Sequence, residues 1–193
     1  DMLLFFAPSP FSPSRMFVLG IPAITMRLVA EERKSGTIEL LTTLPISDSD
    51  VILGKYFGAL GLIFSGILLT GIYAIAISSV GDLDWGPVIT GYLGLLLFAA
   101  ALTAIGVLCS TVTENQIVAF ILGFILCAAL YFVYYLQFFL PQSIAPIVEY
   151  LSTSFHLDNL ARGVIDTRDV LYYMSLIVGA LFLSVRSLAR QHA

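Results

Sequence analysis

The stretch PVITGYLGLLLFAAALTAIGVLCS, residues 87–110, decides the fold class. It contains no charged side chain and is rich in leucine, alanine and glycine. An apolar α-helix needs about 20 residues to cross the hydrocarbon core of a bilayer. The stretch is long enough for that, and a soluble domain rarely buries so long an uncharged segment. It therefore predicts a transmembrane helix.

The composition of the whole chain agrees with this stretch. Of 193 residues, 59% are hydrophobic and 11% are charged, and the mean hydropathy is +0.96. Soluble domains carry about 25% charged residues, so lipid must be the solvent for most of this chain. The net charge is −4 and the sequence contains no basic tract, so we expect no nucleic-acid partner.

Four further stretches extend the prediction to an all-α integral membrane fold. Three are uncharged or carry a single charge near one end, whereas the fourth contains Pro22 and Arg27 and is less regular. We predict five transmembrane helices in this chain, the other four lying at Met16–Ala30, Val51–Val80, Asn115–Leu140 and Val170–Val185.

The distribution of lysine and arginine predicts the orientation. The connection between the first two spans and the C-terminus carry most of these cations: Arg27, Arg33, Lys34, Lys55, Arg186 and Arg190. The charged residues in the short loop at 81–86 are both acidic, Asp82 and Asp84. Positive residues favour the cytoplasmic side, so we predict a cytoplasmic C-terminus and residues 1–15 outside. One further span before residue 1 would give six spans with both ends inside, and we expect it.

The connection at 31–47 is the first candidate functional segment. It is too charged to span, and its apolar residues recur at helical spacing, which favours a short amphipathic helix at the interface. One interpretation is a loop whose charges only set the topology. The other is a docking surface for a soluble partner, formed by Glu31, Glu32, Arg33, Lys34, Ser35, Gly36, Thr37 and Glu39.

The connection at 141–169 is the second candidate segment, and it is predicted to lie outside. It is too long for a simple turn, and its pattern indicates short amphipathic helices. Either a gate or an inert cap fits this pattern. His156 lies there among scattered acids, and we expect a hydrogen-bonded or solvated side chain rather than a metal ligand.

Local signals add two expectations about the helices themselves. Ser47 with Asp50, and Thr111 with Glu114, have the spacing of capping boxes before two of the spans. Gly54 and Gly58 form a GxxxG pair that allows close helix packing. Packing within the chain and a seam between two chains are both open, with the former favoured.

A family resemblance rests on five segments: PAITMR at 22–27, EERKSGTIELL at 31–41, PIS at 45–47, GKY at 54–56 and DNLARGVIDTRD at 158–169. These segments resemble the permease subunits of ABC-2 type transporters, and most closely the gliding-motility-associated permease group. The resemblance implies an ABC-2 type permease fold in which 1–193 form a single transmembrane domain. It also implies a bacterial cytoplasmic membrane, 31–47 as a cytoplasmic coupling segment, and 141–169 as an outer gate.

The same resemblance implies the partners. An ABC ATP-binding subunit would hold ATP and Mg²⁺, a second permease subunit would complete a homo- or heterodimer, and lipids would surround both. The chain itself has no G-x-x-x-x-G-K-[ST] phosphate loop, so we expect no cofactor, metal or catalytic site in it.

Three function classes can be compared on the sequence. The first is a transport permease driven by a separate ATPase, exporting or moving an unidentified substrate. The second is a membrane anchor or scaffold subunit of a motility or secretion machine without substrate transport. An intramembrane enzyme comes last, because the spans contain almost no polar groups that could act together.

Overall fold

The computed structural model describes residues 12–36, 47–81, 84–137, 141 and 144–190. These residues form α-helices joined by short connections. In chain order the helices are α1 Pro13–Thr25, α2 Ala30–Lys34, α3 Asp48–Ser78, α4 Trp85–Val112, α5 Gln116–Leu136, α6 Ala145–Leu151, α7 Thr153–Ala161 and α8 Thr167–Ala189.

Four of these helices, α3, α4, α5 and α8, are long and apolar enough to cross a bilayer. They contain 31, 28, 21 and 23 residues, and each matches a stretch predicted from the sequence. The prediction of an all-helical, multi-pass membrane protein is therefore confirmed. The fifth predicted span is represented by α1, which has 13 residues and is about 20 Å long. That length falls short of a hydrocarbon core of about 30 Å, so a count of five or six spans stays a prediction.

Side-chain caps fix where the spans begin. Before α3, the predicted capping box is confirmed: the amide of Asp50 donates to Ser47 Oγ, and the Ser47 amide donates to the Asp50 carboxylate, both at 3.3 Å. The box predicted for Thr111 and Glu114 is wrong. Thr111 lies inside α4, and Asn115 caps α5 instead by accepting from the amide of Ile117 at 2.9 Å.

Helix α4 is the axis of the bundle. In its most apolar 18-residue portion 78% of the residues are buried, against 17–22% in the other three long helices. The helices α1, α3, α5, α7 and α8 all pack on it. A helix that is apolar on all sides is expected at such a central position, because no face of it has to meet water.

Glycines on α4 and α5 let neighbouring elements approach closely. A Cβ atom at Gly94 would lie 2.8 Å from the Leu160 Cβ of α7, and one at Gly106 would lie 2.9 Å from the Thr25 Cβ of α1. At Gly123 of α5, a Cβ would meet the ring of Pro22 at 3.3 Å. Close backbone approach through small residues is how helices associate in lipid, where apolar burial gives little advantage.

Among the described residues, the ring of helices around α4 has two openings. Helices α1 and α3 both pack on α4 but hardly on each other, and the groove between them has a volume of about 360 Å³. Helices α5 and α8 are likewise separated, and the short helices α6 and α7 fill only the part of that opening near the start of α8. The two openings are therefore filled differently.

Replacement of Gly106 by alanine tests the packing of α1 on α4. The added methyl group collides with Thr25, which is fully buried, so we expect the free energy of unfolding to fall by about 1–3 kcal/mol. Reversible unfolding in mixed detergent micelles measures the change. Gly179→Ala is the matched control, because nothing lies within 4 Å of its Cβ position. Equal stability of the two variants would contradict the close contact.

Candidate functional site

The candidate site lies at one end of the bundle, where α4 and α8 end and α3 and α5 begin. The short helix α2 and the turn at 26–29 pack against these ends. Six of the nine lysine and arginine residues lie at this end, which we call the cationic end: Arg27, Arg33, Lys34, Lys55, Arg186 and Arg190. The clustering expected from the positive-inside pattern is therefore present in three dimensions.

Ser110, in the last turn of α4, holds the turn between α1 and α2. Its hydroxyl oxygen accepts from the amides of Val29 and Ala30, each at 3.1 Å, and its hydroxyl donates to the Met26 carbonyl at 3.1 Å. Val29 and Ala30 are fully buried. A buried amide without a partner costs about 1–3 kcal/mol. By accepting from two such amides, the Ser110 hydroxyl offsets the cost of breaking the helical backbone between α1 and α2.

Arg33 joins α2 to the connection between α4 and α5. Its guanidinium donates to the Thr111 carbonyl and to a carboxylate oxygen of Glu114, both at 3.0 Å. The Arg33 side chain is only 14% exposed, whereas that of Glu114 is 67% exposed. Glu114 therefore serves as a partner for α2, a role that its sequence position as a helix cap did not suggest.

Lys55 joins α2 to α3 in the same way. Its ammonium group donates to the Leu28 carbonyl at 2.5 Å and to a carboxylate oxygen of Glu32 at 2.6 Å. The Lys55 side chain is 16% exposed and that of Glu32 is 35% exposed. Ser110, Arg33 and Lys55 thus attach the segment 26–34 to α3, to α4 and to the connection between α4 and α5, and we call this set of contacts the α2 clasp.

The clasp divides the predicted docking residues into two groups. Glu32 and Arg33 point inward and are used within the chain, whereas Glu31, Lys34 and Ser35 are exposed. Gly36 is also exposed and has a φ of 71°, a left-handed conformation that ends α2 and that other residues adopt with strain. The remaining two predicted residues, Thr37 and Glu39, lie outside the described residues.

The predicted packing glycines, Gly54 and Gly58, lie on the outer surface of α3. Apart from adjacent residues and the adjoining backbone of α3, no described atom lies within 4 Å of the Cβ position at either one. The favoured interpretation, packing within the chain, thus has no support among the described residues. Packing against a second subunit stays a prediction.

The opposite end of the bundle contains the second predicted segment, now seen as α6 and α7. His156 of α7 is fully buried, with Nδ1 2.5 Å from Asp169 Oδ1 and Nε2 2.9 Å from the Tyr150 carbonyl. Its ring stacks on Tyr172 of α8 at a centroid distance of 4.1 Å. The expectation of a hydrogen-bonded histidine is confirmed, and no group of three metal-ligating side chains occurs among the described residues.

The partner of His156 was not identifiable from the sequence. An acid in the first turn of a helix, as Asp169 is in α8, complements the helix dipole, but the Asp169 side chain is only 3% exposed and faces His156. Nearby, burial raises the pKa of Asp158, with the positive charge of Arg162 opposing the shift. Together these contacts fasten α7 to α8 and hold Leu160 against Gly94 of α4.

Three long apolar helices around a fourth, buried one, with a short charged helix clasped at one end, define a multi-pass membrane protein. Residues 11–186 match the family described as ABC-2 family transporter protein. The chain belongs to this family, whose members are membrane transport components and not themselves catalytic. No curated protein gives a significant match to the chain.

Replacement of Ser110 by alanine tests the α2 clasp. It removes the acceptor of two buried amides, so we expect the free energy of unfolding to fall by about 1–3 kcal/mol. Unfolding in mixed micelles reports the loss. The control is Ser65→Ala, since the exposed hydroxyl of Ser65 bonds only within its own helix, to the Leu62 carbonyl at 2.6 Å. If both variants lose the same stability, Ser110 has no special role.

Proposed function

We propose that the chain is the transmembrane permease subunit of an ATP-driven ABC transporter, and that α2 receives the force from a separate ATP-binding subunit. ATP and Mg²⁺ would be bound by that subunit. The observation that carries the proposal is the α2 clasp. A helix with exposed charges on one side, and fixed on the other to α3, α4 and the connection between α4 and α5, can pass an external push to the bundle.

The division of charges in α2 supports this role. Glu31 and Lys34 lie three residues apart on the exposed side of α2, and neither forms an ion pair with another described residue of the bundle. Their charges therefore face the space beyond the membrane end. Complementary charges on a partner set the orientation and rate of docking more than the affinity. Glu32 and Arg33 hold the same helix to the chain, and force on the exposed side is therefore transmitted through them.

The proposal has further parts, for which membership of the family and the charge distribution are the support. The cationic end and the C-terminus are cytoplasmic, in the inner membrane of a bacterium, and transport is outward. The second permease subunit, identical or different, packs on the exposed glycine pair Gly54 and Gly58. Within the family, we propose the gliding-motility-associated group, on the sequence segments quoted above.

Charge reversal on the exposed side of α2 tests the coupling. We expect the double variant Glu31→Lys with Lys34→Glu to lower substrate movement per ATP hydrolysed by about tenfold, a loss of about 1.4 kcal/mol of interaction. The measurement is ATPase activity and transport in liposomes that contain the complete complex. Insertion and folding should be unchanged, because neither side chain contributes to the α2 clasp.

The matched control is Arg168→Glu, an exposed charge at the opposite end of the bundle. It should leave coupling unchanged. Equal coupling in the α2 double variant and the parent would contradict the proposal. A complex that assembles and hydrolyses ATP but moves no substrate would favour the scaffold alternative. Reversal of Glu32 or Arg33 is a weaker test, because it would also break the contacts of the clasp.

A further inference from the structure

The opening between α5 and α8 is filled at one end of the bundle and unfilled at the other. Toward the start of α8, helix α7 occupies it, and Leu160 packs directly on Gly94 of α4. Toward the cationic end no described element covers the surface of α4. A groove of about 530 Å³ remains there between α4 and α8.

The lining of this groove combines an apolar floor with a basic rim. The floor consists of aliphatic and aromatic side chains from the last turns of α4 and α8, and the polar rim consists of two arginines and one serine. The lining residues are Leu108, Val112, Phe182, Leu183, Arg186, Ser187 and Arg190. Phe182, Leu183 and Val112 are more than half exposed within the chain. The floor belongs to two helices that are long and apolar enough to span a membrane, so these exposed apolar groups suit a hydrocarbon environment better than water.

The two arginines are placed to bind an anion at the level of the headgroups. They are four residues apart on α8, so their side chains project from the same face, and both are exposed. The Arg186 guanidinium lies over the Phe182 ring, 4.7 Å from its centroid, at the edge of the apolar floor. No described carboxylate forms an ion pair with either arginine, whereas Arg33 and Lys55 at the same end are both paired.

We propose that this groove binds one anionic phospholipid, with its phosphate on Arg186 and Arg190 and an acyl chain along the floor. The charge of the rim complements a phosphodiester, which guanidinium groups bind through paired hydrogen bonds. Basic pockets between transmembrane helices bind anionic headgroups in this way. A soluble protein could reach the rim but not the floor, since the floor lies at the depth of the acyl chains.

The proposal has a structural consequence for the fold. The bound acyl chain occupies the same opening between α5 and α8 that α7 occupies at the other end, so the surface of α4 is covered along its length. An anionic lipid is thus a component of the bundle on this side. The site involves neither α2 nor the glycines of α3, and it stands whether or not the chain transports a substrate.

Lipid titration of the purified chain in detergent, followed by native mass spectrometry, tests the site. We expect phosphatidylglycerol to bind more tightly than phosphatidylcholine. The double variant Arg186→Gln with Arg190→Gln should raise the Kd for phosphatidylglycerol about 30-fold, because it removes the attraction of about two cations. The control, Arg162→Gln with Arg168→Gln, removes two exposed cations at the opposite end and should change nothing.

Two further experiments distinguish a lipid phosphate from free phosphate and separate a loss of binding from a loss of folding. Inorganic phosphate should not compete with the lipid at millimolar concentration, because it lacks the acyl chain. Leu183→Trp narrows the floor and should also weaken binding, while its exposed position leaves folding intact. Equal Kd values for the two lipids, an unchanged Kd in the arginine variant, or full competition by inorganic phosphate would each overturn the proposal.

Discussion

The hydrogen bonds around Ser110 are the constraint on which the functional end of the molecule depends. The chain leaves α1 after 13 residues, turns at 26–29 and starts α2, and this break frees backbone groups where water is scarce. A single hydroxyl satisfies two of the freed amides and one freed carbonyl. With these groups satisfied, α2 has a fixed position at the end of α4. Only in that position can Arg33 and Lys55 reach their partners.

Helix α4 connects the two ends of the bundle physically. Ser110 at one end contacts the turn before α2, and Gly94 nearer the other end contacts α7, about 24 Å away along the axis at 1.5 Å per residue. In the proposed mechanism, a push on α2 moves α4, and α4 carries α7 with it. In the same proposal, the buried pair of His156 and Asp169 would transfer that movement to α8. A packed helix with contacts at both ends transmits displacement because protein interiors deform little.

Much of this fold could be predicted because lipid imposes a simple rule. Long uncharged stretches must be helical in a bilayer, so the stretches at 51–80, 87–110, 115–140 and 170–185 correspond closely to the long helices observed. The first residues of a helix could also be predicted where the capping side chain is close in sequence, as Ser47 is for α3. The end of α4 could not, since Thr111 continues the helix and Glu114 is used by Arg33, which is 81 residues away in sequence.

The candidate site was predictable as a segment but not as a surface. The sequence grouped Glu31 to Ser35 together, and only the fold separates the exposed Glu31 and Lys34 from the clasped Glu32 and Arg33. Likewise, nothing local marks Asp169 as the partner of a buried histidine. Each of these assignments depends on contacts between distant parts of the chain, to which periodicity and spacing are insensitive.

The central claim is that α2 faces the cytoplasm, and single-cysteine accessibility tests it most directly. Both native thiols, Cys109 and Cys127, are buried, so a membrane-impermeant maleimide should report only the introduced residue. We expect Lys34→Cys to react in inside-out vesicles but not in intact cells, and Val164→Cys, at the opposite end, to show the reverse. Labelling of Lys34→Cys in intact cells would contradict the account, since no ATP-driven partner could then reach α2.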